Sequence, residues 1–322
     1  MPTLLWMQTA GCSGDTMAIL CAEKPSLDEA LLRYDVELLW HPSLSALSPD
    51  GLLKMVEDIC ADRKELTVLC VEGAIATGPD GTGMFDAMHG TPKMKIIERL
   101  AAHAEIVVAM GTCAGFGGVT AAGPNPSDSV GLQFSGSNGS GGLLPAEWRS
   151  RAGLPVVNLA GCPAHPSVMV RSLIAMLLKA PVQLDPLNRP TAYFSAPVHR
   201  GCTRNEHHEF NVEEQAPGGD ACLFINLGCQ GPTTQAICNI ELWNGESSKT
   251  RAGNPCIGCT APNFPNEGDL LRTEKIGPIP RKLPLGVDRS KYMAYKGLAK
   301  AAAPERLQPT APGSRASLPI LS

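Results

Sequence analysis

Cysteine and histidine spacing gives this sequence the look of a metal protein. Six of its twelve cysteines (Cys202, Cys222, Cys229, Cys238, Cys256 and Cys259) fall in one stretch, with His199 three residues ahead and Cys256 and Cys259 forming a C-x-x-C pair. That stretch has little periodic hydrophobic pattern, so ligation would supply cross-links that burial cannot. A zinc ion could take the C-x-x-C pair, a histidine and further cysteine. Six cysteines and His199 exceed one zinc site, however, and Cys12, Cys113 and Cys162 of the first half would stay unexplained. Iron–sulfur clusters take cysteine at uneven spacings, with histidine as an occasional substitute, and fit better. A zinc-stabilised interaction protein is the rival reading, and it requires colourless material.

Those ligands need a frame. Apolar runs at Thr3–Gln8, Thr67–Val71, Ile106–Met110 and Pro155–Leu159, with Glu37–Trp40 as a further strand, alternate with helical patterns at Gly51–Asp62, Lys93–His103 and Val168–Lys179. The alternation predicts a parallel α/β sheet. Strand one runs into AGCSGD, the next into VEG, the third into GTCAGFGG and the fourth into AGCPAHP. Ligands of open α/β sheets bind outside the carboxyl ends of the strands. Three of these four ends carry a cysteine beside a glycine, which lets the backbone turn sharply and aim N–H groups at an anionic cluster.

With 322 residues, 43% of them hydrophobic, the chain can bury a real core, and two domains are expected. A formal net charge of −4 with no basic face argues against nucleic acid. The 33 Gly and 28 Pro predict a loop-rich structure. No stretch reaches the roughly 18–20 apolar residues of a membrane helix; the best candidate, Val168 to Leu178, is broken by Arg171. The opening MPTLLWMQTAGC has neither a secretory pattern nor a twin-arginine pair. The expected location is the cytoplasm, or a membrane surface reached through a partner, and clustered cysteines in the cytosol more often bind metal than form disulfides. The Gly/Ser/Pro-rich stretch 121–150 is expected to be a long surface excursion serving as lid, partner contact or spacer. Periodicity fades near Gln183–Pro190. The expected division is a sheet domain at 1–185, a cysteine-rich domain at 186–285 and a C-terminal extension at 286–322, ending in an Ala/Pro/Ser-rich tail.

The ordered set C-x-x-C or C-x-x-D, GTC, GCP, H-x-x-C-x-R, LGC-x-GP, WN and PC-x-GC runs from Cys12 to Phe264 and resembles the small subunits of NiFe hydrogenases. The resemblance implies a flavodoxin-like α/β domain with a proximal cluster, then a loop-rich iron–sulfur domain with medial and distal clusters. On that resemblance Cys12, Cys113 and Cys162 would hold the proximal cluster, with Asp15 standing where the family usually has a fourth cysteine. His199, Cys202, Cys222 and Cys229 would hold the distal cluster, and Cys238, Cys256 and Cys259 the medial one. The implied cofactors are a 4Fe-4S or 3Fe-4S proximal, a 3Fe-4S medial and a 4Fe-4S or 3Fe-4S distal cluster. Hydrogen would be split at a NiFe centre in a separate large subunit. Electrons would pass to a quinone or other redox partner, in a higher hetero-oligomer.

Asp15 points to the cytosolic uptake group, of high affinity and oxygen insensitivity. A regulatory hydrogen sensor docked on a kinase is the alternative. A cluster-bearing respiratory dehydrogenase subunit ranks last, because it would not need the second cysteine region. Asp15 either ligates iron, leaves a three-iron cluster, or caps a helix at Thr16–Ala22. Glu72, in VEG, is expected beside the proximal cluster, either with a proton-transfer role or as a buried hydrogen-bonded carboxylate. His165, in GCPAHP, either bonds a cluster sulfur or serves packing or the subunit interface. His207 and His208 are expected at the surface, Arg204 on backbone carbonyls of the distal loop, and Cys21, Cys60 and Cys70 as buried free thiols.

Overall fold

The computed structural model describes residues 1–136, 138–265 and 270–307. Five strands, β1 (Thr3–Gln8), β2 (Glu37–Trp40), β3 (Val68–Glu72), β4 (Ile106–Met110) and β5 (Val157–Leu159), make one sheet in the order β2-β1-β3-β4-β5. All four pairings are parallel. This is the flavodoxin-like order, whose switch point lies between β1 and β3. Alternate side chains feed opposite faces, as strand geometry requires. Leu4, Trp6, Val68, Cys70, Val108 and Met110 pack with α1 (Gly14–Leu20), α2 (Leu27–Arg33) and α6 (Pro166–Leu177). Leu5, Met7, Leu69, Val71, Val107 and Ala109 pack with α3 (Pro49–Cys60) and α4 (Lys93–His103). A sheet buried on both faces explains why its strands read as nearly unbroken apolar runs.

Helix starts follow local chemistry. Ser26 and Glu29 form a reciprocal capping box on α2. Ser48 caps α3, which begins at Pro49 rather than at Gly51, and α6 begins at Pro166 rather than at Val168. Proline fits a first helical turn because its missing N–H would have no partner there.

The stretch 121–150 is not a plain surface excursion. Leu132, Gln133, Phe134 and Leu144 are buried. Gln133 Nε2 donates to the carbonyls of Pro145, Ala146 and Trp148, and its Oε1 accepts from Val156 N–H at 2.7 Å. The composition reads as a spacer, yet buried Leu132, Phe134 and Leu144 and the amide of Gln133 together anchor the stretch.

Beyond α6 the chain is held by short contacts. A small core of Val198, Leu223, Phe224, Ile225, Leu227 and Ala236 includes Cys222, Cys229 and Cys256 among its members. Buried Arg189 joins this part to the segment after α6: it pairs with Asp185 at 2.7 Å and donates to the Thr260 carbonyl at 3.2 Å and Gln235 Oε1 at 2.6 Å. A short helix α7 (Asn205–Glu209) follows α5 (Gly111–Phe116) and α6 in chain order, and α8 (Arg289–Ala301), with Tyr292 packed against the small core, is followed by a 3-10 turn at Glu305–Leu307. No helix among the described residues is long and apolar enough to cross a membrane. The Ala/Pro/Ser-rich tail from 308 onward lies outside the described residues.

Gln133→Leu is expected to strand several buried polar groups at about 1–3 kcal/mol each. The purified complex should then melt several degrees lower in a calorimetric scan, and an unchanged melting temperature would contradict this anchoring.

Candidate metal centres

Strand register decides where the first three cysteines go. Gln8 pairs with Glu72, Glu72 with Met110 and Met110 with Leu159, so β1, β3, β4 and β5 end level. Cys12, Cys113 and Cys162 follow those ends by three or four residues and leave on one edge. Burial pushes the Cys162 thiol up to about 12, and Cys113, Cys259, Cys12 and Asp15 add their negative charge. Glycines make room for the convergence. A Cβ at Gly14 would stand 3.1 Å from Cys12 Sγ, and one at Gly118, where φ is +53°, 2.8 Å from Cys113 Sγ.

Asp15 does not cap the helix, which runs from Gly14 to Leu20 rather than from Thr16 to Ala22. Its Oδ1 accepts the Ala164 N–H at 2.7 Å, in the loop that carries Cys162. Burial raises its carboxyl to about 7, against the Ala164 hydrogen bond, and the Glu72 carboxylate pushes the same way as burial. The capping belongs to Glu72. Its Oε1 accepts the N–H groups of Asp15 and Thr16 at 2.9 Å each, and its Oε2 accepts Trp6 Nε1–H at 3.0 Å and the Thr16 hydroxyl. A carboxylate from a neighbouring strand thus meets the orphan amides of the first turn. These four donors match the buried hydrogen-bonded reading of Glu72.

His199, Cys202, Cys222 and Cys229 line one cavity of about 20 Å³ together with Arg204 and Phe224. Burial pushes Cys222 up to about 12, with Cys229 and Cys202 adding to the shift, and burial raises Cys229 as well. Burial lowers His199, favouring the neutral imidazole that ligates metal. Arg204 is buried and holds this loop as expected, donating to the carbonyls of Thr250 at 2.8 Å and Ala221 at 2.6 Å. His208 is not the surface residue its charged neighbourhood suggested. Its ring stands 4.5 Å from that of His199 and its Nδ1 3.4 Å from Cys222 Sγ. Only the fold of α7 back toward Cys222 reveals this; no spacing rule marks it.

Cys238, Cys256 and Cys259 line a larger, mostly apolar cavity of about 390 Å³ with His165, Tyr193 and Trp243. Burial raises Cys238 to about 11 and also pushes Cys256 well above the usual thiol range, and each feels Cys259. His165 packs its ring 5.6 Å from Trp243, burial lowers its pKa, and both its ring nitrogens are buried without a hydrogen-bond partner beside the cavity that Cys238, Cys256 and Cys259 line. Two contacts string the three sets together. The Thr112 hydroxyl, beside Cys113, donates to the Cys259 carbonyl and accepts from Gly161 N–H at 2.9 Å, beside Cys162. At the other end Cys256 N–H donates to Cys229 Sγ at 3.4 Å. Of the remaining thiols Cys70 is buried and Cys60 half-buried, whereas Cys21 is exposed at the end of α1, contrary to expectation.

The donor set tests which group fits. Among the described residues no three His, Cys, Asp or Glu side chains converge tightly enough to hold a single metal ion. Two of the thiol sets instead line cavities, and the raised pKa values of Cys113, Cys162, Cys222, Cys229, Cys238 and Cys256 mean that bare thiolates are costly there without cations. Multi-iron clusters, which bind thiolates spread around a larger body, fit this arrangement better than one zinc ion.

Two family models match. One, described as NADH ubiquinone oxidoreductase, 20 Kd subunit, spans residues 12–176, and the C-terminal model of the NiFe/NiFeSe hydrogenase small subunit spans 194–272. The periplasmic NiFe hydrogenase small subunit 1 of Nitratidesulfovibrio vulgaris is 32% identical over 83% of this chain and 80% of its own length. The F420 non-reducing hydrogenase II small subunit of Methanosarcina mazei is 31% identical over 84% of this chain and 75% of its own. Among solved structures, the actinobacterial-type NiFe-hydrogenase from Ralstonia eutropha H16 is similar over 100% of this chain and 94% of its own, with TM-score 0.78 and 29% identity.

Arg204→Ala is expected to leave two buried carbonyls unpaired and to lower the iron content of the purified complex. Arg204→Lys should not restore it, because one ammonium cannot reproduce the planar fork that reaches both carbonyls. Full iron content in the alanine variant would refute that role.

Proposed function

We propose a function for this chain from one premise: it belongs to the family of NiFe hydrogenase small subunits. Such a subunit transfers electrons beside a NiFe large subunit. We assign the proximal cluster to Cys12, Asp15, Cys113 and Cys162, the medial cluster to Cys238, Cys256 and Cys259, and the distal cluster to His199, Cys202, Cys222 and Cys229. Clusters bound at these three sets would supply one-electron carriers between hydrogen oxidation and an acceptor. The observation that carries the reading is the head-to-tail contact of the sets, Thr112 to Cys259 and Cys256 to Cys229.

The chain's own residues hold ligands apart, exclude water and fix loops. Glu72 pins the start of α1 and so the loop bearing Cys12. Asp15 supports a three-cysteine, one-carboxylate proximal set, since its carboxylate is buried, bonds the loop that bears Cys162 and lies close enough to Cys113 and Cys162 to raise both thiols. The NiFe centre lies in the large subunit. The acceptor, a quinone or redox protein, takes electrons at the His199 end. Asp15 supports uptake rather than sensing, in a higher hetero-oligomer located in the cytoplasm or held at a membrane through a partner. The sensor reading would need slow turnover and a co-purifying histidine kinase.

Iron and sulfide counts with EPR on the purified complex test the assignment: three cluster signals are expected, and zinc alone would overturn it. Cys113→Ser should abolish hydrogen-dependent reduction of the acceptor while the large subunit keeps its metal centre. Asp15→Ala should lower the iron count by about one if the carboxylate ligates; an unchanged count would remove Asp15 from the ligand set.

A further inference from the structure

We infer that His208 is a positioning residue of the distal site, donating its Nδ1–H to Cys222 Sγ and bracing the His199 ring, and that it thereby raises the site's reduction potential. The inference rests on the reading that His199, Cys202, Cys222 and Cys229 hold an iron–sulfur cluster.

The placement begins with Arg204. Its two carbonyl bonds fix the turn before α7, and the His208 N–H donates to the Arg204 carbonyl at 3.0 Å, so the helix carries that anchoring to His208. The imidazole then sits between two rings, 4.5 Å from His199 at 63° and 5.4 Å from Phe224 at 64°. Both contacts are edge-on, leaving Nδ1 aimed at Cys222 Sγ, 3.4 Å away. A thiolate can only accept, so the sulfur selects the tautomer with hydrogen on Nδ1. Cys222 Sγ also accepts the Phe224 N–H at 3.4 Å. Cys222 therefore receives two donors, one of them a side chain that substitution can remove. Hydrogen bonds to cluster sulfurs draw charge off the sulfur, favour the more negative reduced state and raise the potential.

The test is an EPR-monitored redox titration of the complete hydrogenase complex carrying His208→Phe, which keeps an aromatic ring and removes the donor. At the potential that half-reduces the unaltered distal site, the reduced-to-oxidised ratio should fall about tenfold, a shift of about 59 mV for one electron. His208→Gln, which retains an N–H donor, should recover part of the shift. Pulsed EPR should find an exchangeable proton coupled to the distal signal in the unaltered complex and in the Gln variant, but not in the Phe variant. An unchanged distal potential in His208→Phe overturns the inference and leaves the cluster assignment standing. Should the Phe variant lose its distal iron, the absence of that exchangeable proton from the unaltered complex overturns it instead. Cys222→Ser with an undiminished iron count and distal signal would overturn the ligand assignment, and the inference with it.

Discussion

Buried cysteine sulfur is the constraint around which this molecule is organised. Cys113, Cys162, Cys222, Cys229, Cys238 and Cys256 all have thiols raised by burial, and several raise one another. Asp15 shares their predicament. Removing such groups from water is costly unless cations meet them. Iron–sulfur clusters, which small subunits of this family carry, would supply that counter-charge if bound at these thiols. The second half, whose own apolar core is small, depends on this most.

The sheet solves the problem of delivery. Parallel strands in strict register end on one line, so three loops distant in sequence open onto the same edge. Glu72 occupies the end of β3, at the topological switch point, and uses its carboxylate to hold the first turn of α1. Thr112 then ties the Cys113 and Cys162 loops to the C-x-x-C loop. Small polar side chains thus tie together cysteine loops that apolar packing alone would leave loose.

In the loop-rich half two buried arginines replace secondary structure as fasteners. Arg189 spans from Asp185 to Thr260 and Gln235, and Arg204 clamps the carbonyls of Thr250 and Ala221. A guanidinium presents several donors in one plane and so satisfies several carbonyls that no helix or strand pairs. This explains how a segment rich in Gly and Pro keeps a defined shape around its ligands.

Residue type and spacing by themselves determined the parallel sheet and its strand-end cysteines, because hydrophobic periodicity and glycine turns are local signals. The motif order also exposed the family and the ligand candidates. Tertiary structure alone decided which carboxylate does what. Asp15 and Glu72 are far apart in the chain, and only the β1–β3 pairing puts Glu72 on the helix start and frees Asp15 to face the Cys162 loop. It also decided that Gln133 is internal and that His208 reaches Cys222. A polar side chain reads as surface in a sequence, and burial turns it into an anchor only when distant backbone donors and acceptors are brought around it.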